Sequence, residues 1–207
     1  MKVSSAGRSA LLRSDPVLAK HMEKVGPYRL EIEALTSVYE ALARSIVYQQ
    51  LSGKAAATIF GRLEALSPPE RPGLPPPAEL LKLDDAVLRK AGLSGAKTRA
   101  LQDLAARQHQ GLLPSAVEAA DLDDDTLIER LSAVRGIGPW SVQMLLMFRL
   151  GRRDVWPTTD YGIQKGYQKV FRKKALPKPK ELLTIGERWR PHRSMAAWYL
   201  WRALDSK

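Results

Sequence analysis

The chain has 207 residues, with 33 lysines and arginines against 22 acidic residues and a formal net charge of +11. That length suffices for one sizeable core or two small lobes, and the charge favours a polyanionic partner such as nucleic acid. With no cysteine there is no disulfide, thiolate zinc site or iron–sulfur cluster, and no apolar run approaches a membrane span.

Residues 1–14 are basic and serine-containing, lack a signal-peptide core, and read as a mobile N-terminal tail. Residues 15–207 read as a two-lobed, all-α body. Asp15-Pro16 is a helix opening and Gly26-Pro27 its close. Between Ala34 and Gln50, Leu35, Val38, Leu42 and Ile46 form an amphipathic stripe, and Ser52 caps the next helix. Ser67 to Pro77 holds six of the 14 prolines and reads as a stiff connection between the lobes. Asp84 and Ser94 start two more helices, and Gly111 ends the second. The acidic cluster Asp121 to Asp125 caps the helix that follows. Tyr28 to Ile32 is a short extended piece, and Ser194 to Ala203 forms a final helix with Trp198 and Trp201. Residues 172–180 form a basic, proline-broken linker.

One stretch, about residues 126–150, organises the rest. Leu127, Ile128, Leu131 and Val134 have helical spacing before Gly136-Ile137-Gly138-Pro139, and Val142, Leu145, Leu146 and Leu150 have it after. Glycine tolerates positive φ and Pro139 suits a first helical position, so the pattern predicts two helices joined by a tight hairpin. The second helix's N-terminal amides would suit a phosphate. A plain αα-hairpin is the competing reading. Further on, Thr158-Thr159-Asp160-Tyr161 opens another helix, with Asp160 either an ordinary N-cap or a functional carboxylate.

Together LSAVRGIGPWSVQMLL and DVWPTTDYGIQKG resemble the helix-hairpin-helix base-excision DNA glycosylases, in particular the DNA-3-methyladenine glycosylase II branch. The resemblance runs from about Asp15 to Leu204. It implies a two-lobed fold with the active site in the cleft between lobes, and a monofunctional enzyme that hydrolyses alkylated purines from double-stranded DNA. Asp160 matches the catalytic aspartate, which stabilises a cationic sugar or acts on the attacking water. Trp140 stands where bifunctional relatives carry a Schiff-base lysine, which implies no strand cleavage. Trp140 and Trp201 match pocket tryptophans suited to a cationic base, and Met144 stands where the branch can carry a tyrosine. Trp156, Trp189 and Trp198 read as core.

The same resemblance puts Gln50, with Leu51 beside it, at the wedge that fills the gap of a flipped nucleotide; two polar residues at a helix end is the alternative. Gly136, Gly138 and Lys165 match DNA backbone contacts, and Lys97 with Arg99 lies beside a turn that suits phosphate. Asp154 has no match and reads as surface. No cofactor is required, although the carbonyls of Ser132, Val134 and Ile137 match a site for a sodium or potassium ion. A monomer is expected, working inside the cell on DNA, without a membrane. The alternatives are a non-catalytic hairpin module that docks on DNA and a glycosylase for other damaged purines. The resemblance implies a chain without the β-rich N-terminal domain of larger members of the branch.

Overall fold

The computed structural model describes residues 5–205, and among them every regular element is helical. The described backbone forms two compact units, one made of residues up to 34 and from 143 onward, the other of residues 35–142. The division crosses the chain in the middle of a helix, α10 (Pro139–Phe148). The proline-rich stretch therefore lies inside one unit and does not separate the two, contrary to the expectation from composition.

The first unit opens with α1 (Ser5–Ser14) and α2 (Pro16–Val25). Of the residues expected to form a tail, 5–14 form this helix and bury Leu11 in the unit's core; residues 1–4 lie outside the described residues. Asp15 caps α2, accepting from the Val17 and Leu18 amides at 3.1 Å each, and Gly26 ends it at φ 92°. Tyr28 to Ile32 forms no strand. The unit resumes with α11 (Tyr161–Val170), α12 (Pro179–Gly186), a 3-10 turn (Glu187–Trp189) and α13 (Arg193–Asp205). Pro179 at the first position starts α12 within what composition suggested was a linker.

Helix α13 is the axis of this unit, with Ala196, Ala197, Tyr199 and Leu200 fully buried. Helix α11 lies against it at very short range: a Cβ on Gly166 would overlap the Leu200 carbonyl. Trp156, Trp189 and Trp198 are core residues, and the Trp156 indole donates to the Leu182 carbonyl at 2.7 Å.

The second unit contains α3 (Val38–Tyr48), α4 (Gly53–Glu64), α5 (Pro77–Leu80), α6 (Asp85–Lys90), α7 (Gly95–His109), α8 (Ala116–Asp121) and α9 (Asp124–Ser132). Helix α3 starts later than the apolar stripe suggests, because Ser37 takes the Glu40 amide and defines the cap. Ser52, Ser94 and Asp123 cap α4, α7 and α9 through side-chain oxygens. Ser115 and Glu118 form a reciprocal capping box at α8. The core joins Leu42 and Ile46 of α3 to Leu101 and Leu104 of α7, with Leu80, Leu88, Leu127 and Leu131 around them.

Candidate active site

The segment leading to Asp160 is tied to α13 and α12 almost residue by residue. Asp154, expected at the surface, is a hub. It accepts from Arg190 Nη1 at 2.7 Å, Arg193 Nε at 2.8 Å and Arg193 Nη2 at 2.9 Å. Ser194 Oγ donates to the Arg152 carbonyl at 2.7 Å and accepts the Val155 amide at 2.9 Å. The carbonyl of Thr158 accepts from Gln164 Nε2 at 3.0 Å. Asp154 is partly exposed, but its pairing was not legible locally because its partners lie far along the chain.

At the end of this segment Asp160 caps α11. Its Oδ1 accepts the Ile163 amide at 2.7 Å and the Trp201 indole N–H at 2.9 Å. Cap and functional carboxylate are therefore compatible roles of one half-buried group, since the helix N-terminus also favours its negative charge. The Trp201 ring stacks on Phe148, with centroids 5.9 Å apart and planes inclined by 25°. Phe148 has no place in the sequence expectations, because its partner comes from a helix much later in the chain. Met144, one turn before it on α10, is half-buried. On α11, Lys165 Nζ lies 5.8 Å above the Tyr161 ring and 3.3 Å from Gln168 Oε1. A cavity of about 890 Å³ lies at the opposite end of α11 from Asp160, lined by Lys20, Lys24, Lys169, Arg172 and Arg202 among others.

The second unit carries the hairpin. Only Gly136 has a left-handed backbone, at φ 79°, and a Cβ there would stand 3.4 Å from the Ala100 methyl carbon. Gly138 has ordinary φ with open space around it, and its carbonyl accepts the Ser141 amide at 2.9 Å, starting α10. Trp140, in the first turn, is 43% exposed. Asp103 of α7 accepts the Arg135 amide at 2.8 Å and also holds Arg107 at 2.9 Å. Ser132, Val134 and Ile137 lie along the turn between α9 and α10. Ser132 Oγ is buried without a hydrogen-bond partner, and the Val134 carbonyl accepts the Ile137 amide at 3.0 Å.

Between α3 and α4, Gln50 is exposed in a left-handed conformation at φ 57°, and Leu51 is 40% exposed. Left-handed geometry costs a residue other than glycine on the order of 1–3 kcal/mol and persists only where surroundings hold it. Gln49 Nε2 donates to the Gly136 carbonyl at 2.9 Å, which links this loop to the hairpin. Lys97 donates to the Val47 and Gln49 carbonyls at 2.8 Å each, so its ammonium serves the loop. Burial lowers its pKa from the ordinary lysine value.

A family model described as HhH-GPD superfamily base excision DNA repair protein matches residues 43–191. The chain belongs to this superfamily. It is 40% identical over 164 residues to DNA-3-methyladenine glycosylase 1 of Schizosaccharomyces pombe, covering 79% of this chain and 71% of that protein. The solved structure of the Schizosaccharomyces pombe 3-methyladenine DNA glycosylase, in complex with abasic DNA, matches with a TM-score of 0.82 at 36% identity and 96% coverage of each chain. A DNA-3-methyladenine glycosidase from Bacillus halodurans matches with a TM-score of 0.84 at 33% identity, over 98% of this chain and 91% of that one. In this HhH-GPD chain the candidate residues divide by unit. Asp160, Trp201, Met144 and Lys165 lie in the first. Trp140, Gln50, Leu51 and the hairpin glycines lie in the second. No helix among the described residues is long and apolar enough to cross a membrane.

Proposed function

We propose that this chain is a monofunctional DNA glycosylase that removes alkylated purines of the 3-methyladenine type from double-stranded DNA in base excision repair. The observation that carries the reading is Asp160, a carboxylate fixed by the Ile163 amide and the Trp201 indole in a chain 40% identical to a DNA-3-methyladenine glycosylase. A docking module has no need of a carboxylate held by an indole.

An alkylated purine of this type is cationic. Breaking its bond to C1′ returns the bonding electron pair to the base, which leaves as a neutral molecule, while positive character builds on the sugar. Asp160 opposes that charge at a fixed point, where preorganised electrostatics acts most strongly. A water oxygen then bonds to C1′ and gives up a proton, for which Asp160 is the acceptor. The product is an intact strand with an abasic site, because Trp140 offers no amine for a Schiff base. The base must first leave the stack. Gln50 and Leu51 are assigned to the gap it leaves, and the faces of Trp140 and Trp201, with Met144, to the cationic base. The hairpin amides at Gly136 and Gly138, together with Lys165, are assigned to phosphates.

Carbonyls of Ser132, Val134 and Ile137 would hold a sodium or potassium ion, which would supply positive charge between the hairpin and a DNA phosphate. The buried, unpartnered Ser132 Oγ and an all-oxygen donor set suit a hard cation. No other cofactor is required, one copy of the chain suffices, and the setting is the bacterial cytoplasm or the eukaryotic nucleus.

Incubating the protein with methylated duplex DNA and separating released bases by chromatography tests the reading. Release of 3-methyladenine with unbroken strands is expected. Tight DNA binding with no released base would leave only the docking alternative, and release confined to oxidised or deaminated purines would change the substrate class.

A further inference from the structure

We propose that Lys97 is a positioning residue for base opening: its ammonium holds the Tyr48–Ser52 loop in the shape from which Gln50 and Leu51 enter the duplex. The proposal rests on the wedge reading of that loop and assigns the group that keeps it in place.

Lys97 is placed against the local interest of its own helix. It sits in the first turn of α7, where Ser94 accepts its amide and where the helix N-terminus disfavours a cation. No acidic residue shares that turn. Its ammonium instead reaches the far end of α3 and donates to the Val47 and Gln49 carbonyls at 2.8 Å each. Carbonyls in the last turn of a helix have no helical partner, and the dipole makes that end favourable for a cation. A residue that breaks a local rule while meeting a distant demand marks a site where tertiary function outweighs propensity.

The demand at α3 is specific. Immediately after the Gln49 carbonyl, the chain turns through Gln50 at φ 57°, a conformation that its surroundings must hold. Lys97 fixes the carbonyl on the incoming side of that turn. Gln49 Nε2, bonded to the Gly136 carbonyl, ties the same residue to the hairpin. The support comes through backbone oxygens, so Gln50 and Leu51 stay exposed. A wedge must be rigid at its base and free at its tip, and this arrangement meets both conditions.

The test separates opening from chemistry. Lys97→Met keeps the side-chain stem and removes all three donors. Single-turnover excision is measured on one alkylated base placed either in a normal pair or opposite an abasic site, where little pairing must be broken. Thermal melting shows whether the variant is folded. The expected result is a loss of about 10-fold or more on the paired lesion, as for a removed charged hydrogen-bond donor, and under about 3-fold on the unpaired one. Equal loss on both substrates, or no loss on either, overturns the proposal. Should Lys97→Met melt below the assay temperature, Lys97→Gln, which keeps one amide donor group, is measured on the same pair with the same criteria. The double variant Gln50→Ala, Leu51→Ala should show the same split. If it does not while the wild type excises normally, the wedge reading fails and the proposal with it. A wild type that excises neither lesion overturns the glycosylase reading itself.

Discussion

The segment from Gly151 to Asp160 and the loop from Tyr48 to Ser52 are both irregular, yet they are held in different ways. In the first, the functional and structural side chains are themselves held: Asp154 between Arg190 and Arg193, Asp160 between the Ile163 amide and the Trp201 indole, with Ser194 bonded to two backbone groups beside them. In the second, the support reaches the Val47 and Gln49 backbone carbonyls from Lys97, and Gln49 ties the loop onward to Gly136, leaving Gln50 and Leu51 exposed. A carboxylate that must oppose a brief charge gains from being unable to move. Side chains that must enter a duplex have to face solvent until they do. Redundant side-chain anchoring therefore suits chemistry, and anchoring through the backbone suits mechanical work on the partner.

Substitutions on the two sides should separate release of the base from grip on the DNA. The largest effect is expected for Asp160→Asn, which keeps the cap's size and removes its charge. It should fold and bind damaged DNA, while base release falls by about 100-fold or more; full release by this variant would reduce Asp160 to a cap. In the wild type, borohydride should trap no covalent adduct, and efficient trapping would point to an amine such as Lys165.

Asp154→Ala should come next, lowering unfolding free energy by about 2 kcal/mol, because two arginines lose a shared and only partly exposed acceptor. Denaturant titration measures it, and a change within about 0.5 kcal/mol would mean the hub is mere surface. Trp201→Phe keeps a ring for Phe148 to stack on and removes the N–H. Release should fall about 10-fold with DNA affinity unchanged, so an equal loss in both would make Trp201 structural. The smallest effect is expected at Gly138, where a Cβ meets open space. Gly138→Val should leave melting nearly intact and weaken DNA binding by about 5-fold, since a bulky group shields amides meant for phosphate. Wild-type affinity should fall with salt at a log–log slope of roughly −0.9 per phosphate neutralised, and a salt-independent affinity would count against phosphate contacts altogether.

Local signals in the chain determined much of this. Ser52, Ser94, Asp123 and Asp160 are caps wherever a helix follows, because a short side-chain oxygen satisfies amides two or three residues on. Gly136 and Pro139 mark the hairpin for the same kind of local reason, and the spacing of Leu42 and Ile46 marks one side of the core. Trp140 in place of an amine is legible from one residue. What could not be read there depends on partners distant in sequence. Asp154 looks like any surface acid until Arg190 and Arg193 arrive from the end of the chain. Leu11 looks like part of a tail until a core exists to bury it. Phe148 is one more apolar residue of α10 until Trp201 stacks on it, and Lys97 is one of many cations until the end of α3 presents two carbonyls. Local hydrogen bonding and periodicity are written in neighbouring residues, whereas burial and long-range pairing exist only once helices far apart in the chain have packed.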